Sequence, residues 1–508
     1  MLSKVSCFGI TGLEAYPITI ETDIASGLPM VTIVGLPDNA VKESRERIRA
    51  AIKNSGFEFP AQRITINLSP ADTKKQGPSY DLPIAIGVLA AQGIIPADSL
   101  TPYIFLGELS LDGRIQPVHG ALSIALAAAN NKCQGLIVPA ENAREAALAN
   151  CPIFAAMNLN EVVAFLMDPK TLEPTRSDFE SFLKNTRRHR WDFSEIKGQE
   201  YLKRGLEVAA AGGHNVLLIG APGSGKTMLA KRLTTILPDM TREEILETTQ
   251  IHSVMGLLRN SDGIVAQRPF RAPHHTASNI AIIGGGSNPR PGEVTLAHNG
   301  VLFLDELPEF NRNVLEVLRQ PLEDGHVHIT RARGSLCFAA RCMLITAMNP
   351  CNCGWRDVPG RICRCSTLQV ENYRNKISGP ILDRIDIHLH ALPLKTSDFV
   401  DAPPEESSIE IKKRTTRARE LQLLRFKGVP ILCNAHMETS HLRDFCILSN
   451  EAKVILYQAM ERLKFSARAH DKIIKVSRTI SDLAGSEDIL PEHIAEAVGY
   501  RSLDRQSF

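Results

Sequence analysis

Several features that would define a class at once are missing from this sequence. The first residues lack the apolar run of a secretory signal. The longest apolar stretch, residues 82–96, contains Gln92 and two glycines, and it is shorter than the ~20 residues that a membrane span needs. Internal repeats and low-complexity tracts are also missing. We therefore expect a cytoplasmic protein that makes no membrane contact.

The sequence also has a low net charge and no cysteine pattern that indicates disulfides. The formal charge is only +2, so attraction to nucleic acid has to come from local basic clusters. The 11 cysteines are odd in number and mostly lie in apolar surroundings, which favours a reducing compartment over a disulfide framework. With 508 residues, 44% hydrophobic and 22% charged, the chain is expected to form two or three globular domains.

Four segments differ in their residue patterns. Residues 1–168 alternate strand-like runs with Ala-rich helical runs, which indicates an α/β module. Residues 169–190 read as a polar linker whose basic end is more typical of a solvated face than of a DNA-tracking element. Residues 191–394 form a second α/β pattern, and residues 395–508 are mostly helical. Helices are predicted there at residues 451–464, 467–484 and 491–500.

A phosphate-binding loop opens the second α/β segment. The apolar residues 215–219 predict a buried strand, and residues 228–237 predict a helix that follows the loop. The motif G-x-x-x-x-G-K-[ST] is therefore in its required strand-loop-helix context, which a chance Gly-rich turn does not explain. Lys226 is expected to reach the β- and γ-phosphates, and Thr227 to bind Mg²⁺. The residues expected to hold ATP are Gly220, Ala221, Pro222, Gly223, Ser224, Gly225, Lys226 and Thr227.

Polar side chains end two further apolar runs. Residues 301–304 lead into Asp305 and Glu306, a costly place for two carboxylates unless a cation is bound there. Asp305 is expected to hold Mg²⁺ and Glu306 to polarise the attacking water. Residues 343–348 lead into Asn349, which can orient that water or contact the γ-phosphate. A strand-end Asn that starts a turn is the alternative, and the order of the segments favours the catalytic interpretation.

Four cysteines lie close together in a turn-rich stretch, with the spacing C-x-C, nine residues, C-x-C. Four thiolates in a short loop suit tetrahedral Zn²⁺, and the site would be structural because no position stays open. A redox pair or free thiols are the alternatives, and the clustering favours metal. The predicted zinc ligands are Cys351, Cys353, Cys363 and Cys365.

Six segments resemble the magnesium-chelatase-like branch of the AAA+ superfamily, and more narrowly the ComM/YifB family. They are residues 34–37 (VGLP), 66–70 (INLSP), 77–83 (GPSYDLP), 209–215 (AAAGGHN), 270–275 (FRAPHH) and 378–386 (SGPILDRID). The resemblance extends over nearly the whole chain. It implies a ring, normally a hexamer, with ATP bound between subunits. It also implies a DNA branch-migration helicase that acts on recombination intermediates during natural transformation.

The resemblance also assigns roles to single residues. Arg384 is similar to an arginine finger, which reaches the γ-phosphate of the neighbouring subunit and neutralises charge that develops there. A salt bridge with Asp383 or Asp386 is the alternative, and such an exposed pair contributes little. Residues 192–199 resemble the segment that lies against adenine.

The implied fold is α/β with three parts. They are a Lon-protease-like and S5-like α/β domain, an AAA+ phosphate-loop domain with a parallel sheet, and a C-terminal helical lid. In the lid, Arg468 matches the position of a phosphate sensor, and Lys475 and Arg478 on the same helix are the competing candidates.

Two regions are candidates for DNA contact. Residues 284–293 are too rich in glycine and proline for a helix, and in similar proteins this region faces the pore of the ring, which would bring Arg290 to phosphate. Residues 326–335 predict a β-hairpin that resembles the pre-sensor hairpin of the MCM branch. Arg331 and Arg333 stand two apart on it, a spacing that allows phosphates to be bound without base specificity. A solvated edge strand protected by charge is the alternative.

The first segment carries a resemblance of its own. Residues 77–79 and 107–118 resemble the proteolytic domain of Lon-type proteases, with Ser79 at the position of the nucleophile. That chemistry needs a lysine base, and residues 119–126, which should supply it, contain none. We therefore expect an inactive domain in which Ser79 serves the turn.

Three functions compete at this stage. A DNA helicase would show ATPase activity stimulated by DNA. A chelatase-type remodelling subunit that acts on a protein partner would hydrolyse ATP without any response to DNA. An ATP-dependent protease is disfavoured by the missing lysine.

Overall fold

The computed structural model describes residues 2–131, 133–175, 179, 190–258, 263–286, 289–331, 334–356, 358, 360–392 and 405–501. Two compact units emerge from the contacts. The first comprises Met1–Thr186 together with Arg242–Ala266, and the second comprises Arg187–Thr241 together with Gln267–Phe508.

Both units contain strands and helices in alternation, as the sequence predicted. The strands up to residue 175 are β1 (Leu2–Thr11), β2 (Glu14–Ala25), β3 (Met30–Val34), β4 (Arg63–Ser69), β5 (Tyr103–Phe105), β6 (Glu108–Leu109), β7 (Ile115–Gln116), β8 (Gly135–Pro139), β9 (Ile153–Ala156) and β10 (Pro174–Thr175). The later strands are β11 (Val216–Gly220), β12 (Phe270–Arg271), β13 (Gly284–Gly285), β14 (Arg290–Pro291), β15 (Val301–Leu304), β16 (His326–Arg331), β17 (Gly334–Ala339), β18 (Met343–Met348) and β19 (Ile387–Ala391).

The helices follow the same numbering in chain order. Those up to residue 254 are α1 (Asn39–Asn54), α2 (Asp81–Ala91), α3 (Ala121–Asn130), α4 (Ala143–Ala146), α5 (Leu159–Met167), α6 (Glu200–Gly212), α7 (Lys226–Ile236) and α8 (Arg242–Val254). The remaining ones are α9 (Asn279–Ile283), α10 (Glu293–Leu296), α11 (Arg312–Val317), α12 (Arg319–Asp324), α13 (Thr367–Arg374), α14 (Gly379–Leu382), α15 (Ser408–Arg425), α16 (Thr439–Phe445), α17 (Asn450–Leu463), α18 (Ala467–Ala484) and α19 (Pro491–Gly499).

A mixed sheet forms the centre of the first unit. Among the described residues it has eight strands in the order β10-β9-β8-β5-β1-β2-β4-β3. β1 and β2 pair antiparallel from Leu2 opposite Asp23 to Thr11 opposite Glu14. Alternate side chains of β4 are buried, because successive residues of a strand point to opposite faces. α2 packs on β1 and β2, and all of its residues are buried, so it forms the core of the unit.

The segment 242–266 belongs to the first unit although the residues on both sides of it belong to the second. Its helix α8 packs on α3. Two long-range hydrogen bonds fix it. Gln250 donates to the carbonyl oxygen of Leu13 at 2.8 Å, and the Gly120 amide donates to the carbonyl oxygen of Ser253 at 3.1 Å. The pattern of residues along this segment gives no indication of that docking.

A parallel sheet forms the centre of the second unit. Its order within the described residues is β12-β15-β18-β11-β19, with every neighbouring pair parallel. All residues of β11, β15 and β18 are buried, which explains their uninterrupted apolar runs. Because the strands are parallel, the residues that follow them meet at one edge of the sheet.

The C-terminal helices pack against that sheet in one continuous apolar core. The three helices predicted from the sequence are confirmed as α17, α18 and α19. Ser466 caps α18 by accepting the Ala469 amide at 3.2 Å, and Pro491 stands in the first turn of α19. Among the described helices, none is long and apolar enough to cross a membrane.

Candidate nucleotide site

The phosphate loop lies between the end of β11 and the start of α7. β11 ends at Gly220 and α7 begins at Lys226, which confirms the predicted strand-loop-helix arrangement. Gly225 has a φ of +84°, in the left-handed region that favours glycine. A Cβ added at Gly220 would lie 2.6 Å from the carbonyl oxygen of Ala391. Glycine is therefore needed near both ends of the loop.

The ammonium group of Lys226 lies at the mouth of this loop. Its Nζ donates hydrogen bonds to the carbonyl oxygens of Gly220 at 2.8 Å and Ala221 at 3.0 Å, and to Oδ1 of Asn349 at 3.2 Å. Burial lowers the pKa of Lys226, an effect that two nearby carboxylates oppose. The structure thus brings the lysine of the motif and the residue after β18 into direct contact.

The predicted magnesium ligands also meet. Thr227 is in the first turn of α7, and Asp305 follows β15 on the same edge of the sheet. The Thr227 hydroxyl donates to Oδ2 of Asp305 at 2.7 Å. A hydroxyl and a carboxylate are oxygen ligands of the kind that Mg²⁺ prefers, so these two residues fit the expected ion.

Glu306 has a strained backbone and a histidine neighbour that the sequence did not single out. Its φ is +54°, which costs a non-glycine residue about 1–3 kcal/mol and is typical of functional sites. Its exposed carboxylate has Oε2 at 3.4 Å from Nδ1 of His275. The ring of His275 packs against that of His274 at a tilt of 34°, with centroids 4.1 Å apart. His275 came from the segment FRAPHH, which the sequence marked only as a family resemblance.

Asn349 has a second neighbour besides Lys226. The backbone of Asn349 lies close enough to the hydroxyl of Tyr373 on α13 to lower its pKa, against the larger effect of burial. Tyr373 is buried, and burial raises its pKa to about 12, so it stays protonated at neutral pH. Tyr373 therefore packs beside Asn349, whose side chain contacts Lys226 of the phosphate loop.

Two residues of the expected nucleotide site, one in the segment expected to lie against adenine and one in the phosphate loop, carry a buried polar atom with no partner. Within the described residues, Oγ of Ser224 and Oε1 of Gln199 are buried without a hydrogen bond, although Gln199 Nε2 donates to the Ser224 carbonyl at 3.4 Å. Asp192 is held by the Ser194 amide at 2.9 Å and the Ser408 amide at 3.2 Å. Unpaired buried groups of this kind are costly unless a ligand supplies the partner, which fits a nucleotide.

Arg384 has a different intrachain partner from those suggested by the sequence. Its guanidinium forms an ion pair with Glu323 of α12 and donates to the Pro380 carbonyl oxygen at 2.7 Å. Asp383 and Asp386 pair with other cations, so the alternative of a bridge within the same turn is wrong. The Arg384 side chain is 11% exposed, and burial lowers its pKa.

The three candidates for the phosphate sensor differ in their surroundings. Arg478 is buried and donates to Asp482 at 3.0 Å, and Lys475 donates to the Ala435 carbonyl oxygen at 3.2 Å. Arg468 pairs with Asp383, and its side chain is 69% exposed. Of the three, Arg468 is the most exposed.

The cysteine cluster (Cys351, Cys353, Cys363 and Cys365) forms a compact set of sulfurs. The four Sγ atoms all lie within 4.8 Å of one another. The backbone amides of Trp355 and Arg364 act as hydrogen-bond donors to Cys353 and lower its pKa to about 6, so that thiol ionises readily. Four sulfurs this close together suit a tetrahedral Zn²⁺ site, so the residues fit the metal.

The DNA candidates lie on two hairpins. β13 and β14 form one, with Arg290 exposed. β16 and β17 form the other, which confirms the predicted hairpin, and Val327 and Ile329 on it are buried. Arg331 ends β16. Its side chain and the whole of Arg333 lie outside the described residues.

Ser79 lies in a short 3-10 helix just before α2. Its carbonyl oxygen accepts the Gly107 amide at 3.2 Å, which suits the role in the turn that the sequence favoured. Lys75 is nearby in sequence and buried, and its ammonium donates to the carbonyl oxygen of Pro70.

Four features together define an AAA+ fold of the magnesium-chelatase-like type. They are a phosphate loop after a parallel strand, an acid pair after β15, Asn349 after β18 and a C-terminal helical region. Three family models agree. The model "Magnesium chelatase, subunit ChlI" matches residues 192–399. "Subunit ChlI of Mg-chelatase" matches residues 20–142, and "Magnesium chelatase, subunit ChlI C-terminal" matches residues 405–501.

Relatives extend over nearly the whole chain. The uncharacterized protein YifB of Escherichia coli (strain K12) is 45% identical over 99% of this chain and 98% of its own length. The competence protein ComM of Haemophilus influenzae is 43% identical over 97% of this chain and 96% of its own. The chain belongs to the ComM/YifB family. A Lon protease from Rhizobium meliloti is similar over 29% of this chain at 25% identity, so that resemblance is partial.

Proposed function

We propose that this protein is an ATP-hydrolysing motor that moves DNA, and specifically a branch-migration helicase that promotes integration of incoming DNA by homologous recombination. The observation that supports it most is the meeting of Lys226, Thr227, Asp305 and Asn349 at one edge of the parallel sheet. We propose that it acts in the cytoplasm, where ATP and reduced thiols are available.

Each residue at that edge has a task in phosphoryl transfer. Lys226 would leave the loop carbonyls and bind the β- and γ-phosphates, while the backbone N–H groups of residues 223–227 surround them. Glu306 would orient the attacking water, and Asn349 would contact the γ-phosphate. Bound by Thr227 and Asp305, Mg²⁺ would supply neutralisation of phosphate charge. Arg468 would report on the phosphate from the helical lid.

Assembly into a ring, normally a hexamer, completes the proposal. Arg384 would leave Glu323 and reach the γ-phosphate held by the neighbouring subunit. A planar, permanently charged guanidinium suits this task because charge grows on the phosphoryl oxygens in the transition state. The pairing with Glu323 holds the guanidinium in place within a single chain.

We propose DNA as the substrate that the motor moves. The relative from Haemophilus influenzae is named a competence protein, which supports a role in natural transformation. Arg290, Arg331 and Arg333 would contact phosphates of single-stranded, duplex or branched DNA. Changing Arg331 and Arg333 to Ala should lower the salt slope of DNA binding by about 2, because each phosphate contact contributes roughly 0.9. An unaltered slope would place the DNA elsewhere.

The decisive experiment compares ATPase rates with no DNA and with single-stranded, duplex and branched DNA. A helicase predicts a faster rate with DNA and movement of a synthetic four-way junction by the purified ring. Glu306→Gln serves as the control, since it should bind DNA and ATP yet leave the junction in place. An ATPase rate that is the same with and without each of the three DNAs would contradict the proposal.

A chelatase-type remodelling subunit that acts on a protein partner is the second candidate. The family models named for magnesium chelatase support it. It predicts ATP hydrolysis that responds to a protein and not to DNA, so the same assay separates the two.

Two further proposals concern metal and the first domain. We propose that the cysteine cluster holds one structural Zn²⁺, with metal analysis expected to give one zinc per chain, and none after Cys351→Ser with Cys363→Ser. We also propose that residues 1–168 form a domain without peptidase activity. Purified protein should leave casein intact, with ATP present or not.

A further inference from the structure

The loop that carries the cysteine cluster touches the phosphate loop. Gly354 directly follows Cys353, and its φ is +79°. A Cβ added at Gly354 would lie 2.5 Å from Cδ and 2.8 Å from Cγ of Pro222. Carbon atoms normally approach to about 3.5–4.0 Å. The backbone at Gly354 is therefore packed so closely on the Pro222 ring that no side chain fits between them.

The same loop is tied to the nucleotide site at both of its ends. At its start, Cys351 comes two residues after Asn349, whose side chain accepts the Lys226 ammonium at 3.2 Å. At its end it leads into α13, and Tyr373 of that helix is buried next to the backbone of Asn349. The cysteine loop (residues 350–366) is thus joined to Asn349 on one side and pressed against Pro222 on the other.

Turns shape this loop, such as the one closed by the Gly354 amide, which donates to the carbonyl oxygen of Cys351 at 3.0 Å. Among its described residues, 350–356, 358 and 360–366, none belongs to a helix or a strand. Cross-linking four cysteines through one ion would fix the loop, because binding energy at such a site is also folding energy. The phosphate loop in turn binds best when its amides are already arranged around the phosphates.

We propose that the cysteine loop is a support for the phosphate loop, with Gly354 and Pro222 as positioning residues, so that metal in the cysteine cluster sets the affinity for ATP. This inference rests on the nucleotide site proposed above. Metal loss would loosen the loop, release Pro222 and weaken ATP binding although the sequence of the phosphate loop is unchanged.

The loop supplies its own matched control. Gly360 has a φ of +75°, close to that of Gly354, but a Cβ there would have nothing within 4 Å. Gly354→Ala and Gly360→Ala therefore share the backbone strain and differ in the contact with Pro222. The binding of a fluorescent ATP analogue, with Mg²⁺ present, should weaken about tenfold in Gly354→Ala and stay within about twofold in Gly360→Ala. Both variants should keep their zinc by metal analysis.

A second variant tests the contact itself. Pro222→Ala removes the ring atoms that the new Cβ would meet. The double variant with Gly354→Ala should therefore bind the ATP analogue more tightly than the sum of the two single-variant effects predicts. Removing zinc from the wild-type protein with a chelator that spares Mg²⁺ should weaken analogue binding, and added Zn²⁺ should restore it. In Pro222→Ala this dependence on zinc should shrink.

The outcomes separate this inference from the proposed function. If the wild-type protein binds the analogue but Gly354→Ala binds as well as Gly360→Ala, or zinc removal leaves the affinity unchanged, the support role is overturned. If the zinc-loaded wild-type protein binds no nucleotide, the nucleotide site itself is wrong and the inference falls with it.

Discussion

The two units of this chain are both built on a sheet with helices, and an ion pair in the first differs from the charged side chains beside the phosphate loop in the second. In the first unit, Arg47 and Asp81 satisfy each other through two hydrogen bonds of 2.9 and 3.2 Å. In the second, Lys226 and Asp305 lie at the edge of a parallel sheet with bonds that a ligand can replace. Charges that are paired internally hold a fold together, whereas charges gathered at a strand edge can bind and transform a ligand.

The largest effect should come from removing Arg384, which tests whether the chemistry of the second unit needs a neighbouring copy. Arg384→Ala is expected to slow ATP hydrolysis about 10³-fold, as loss of an arginine finger does. Glu323→Gln is the matched control, because it removes only the intrachain partner. Mixing Arg384→Ala with Lys226→Ala should recover activity, since a mixed interface has one intact site. No recovery on mixing would place Arg384 outside the neighbour's site.

Glu306→Gln should slow hydrolysis by about 10²-fold while ATP binding stays intact, because the amide keeps the shape of the side chain but cannot polarise water. Ser79→Ala, the corresponding change in the first unit, should alter neither binding nor rate. Steady-state ATPase assays and analogue binding measure the two quantities separately. Unchanged turnover would remove Glu306 from the mechanism.

Arg47→Ala should act on the first unit alone. It leaves the carboxylate of Asp81, which is 0% exposed, without its partner, a loss of about 3–5 kcal/mol of stability. The exposed pair of Arg45 and Glu46 provides the control, and Arg45→Ala should cost almost nothing. Both tryptophans belong to the second unit, so circular dichroism should show the loss while tryptophan fluorescence does not. A coincident shift of both signals would mean that the units unfold together.

The smallest effect concerns pH. Burial raises the pKa of Asp81 from 3.8 to about 6, although Arg47 opposes the rise. Between these values the folded state binds more protons than the unfolded state, so the free energy of unfolding should increase as the pH falls. From pH 7 to pH 5 the wild type should therefore gain stability relative to Asp81→Asn. Parallel pH profiles for the two proteins would contradict the assignment.

Local pattern was enough for much of the second unit. The strand before Gly220, the helix after it, the hairpin at residues 326–335 and the helices of the C-terminal region are confirmed because each depends on spacing within a short window. The family was identified from short segments and is confirmed by relatives over nearly the full length.

Contacts between distant residues were out of reach of that reasoning. The docking of α8 depends on Gln250 meeting Leu13, and the partner of Arg384 is Glu323 rather than an acid of its own turn. His275 beside Glu306 and Gly354 against Pro222 are likewise brought together only by the fold. The residue roles at the nucleotide site remain predictions.

The central claim is that ATP is held at Lys226 and hydrolysed beside Asp305 and Glu306. It is tested most directly by measuring phosphate release from ATP by the purified wild-type protein and by Lys226→Ala, with Mg²⁺ and under conditions that allow assembly. We predict steady hydrolysis by the wild type and almost none by Lys226→Ala. An inactive wild type, or equal rates for the two proteins, would contradict the account.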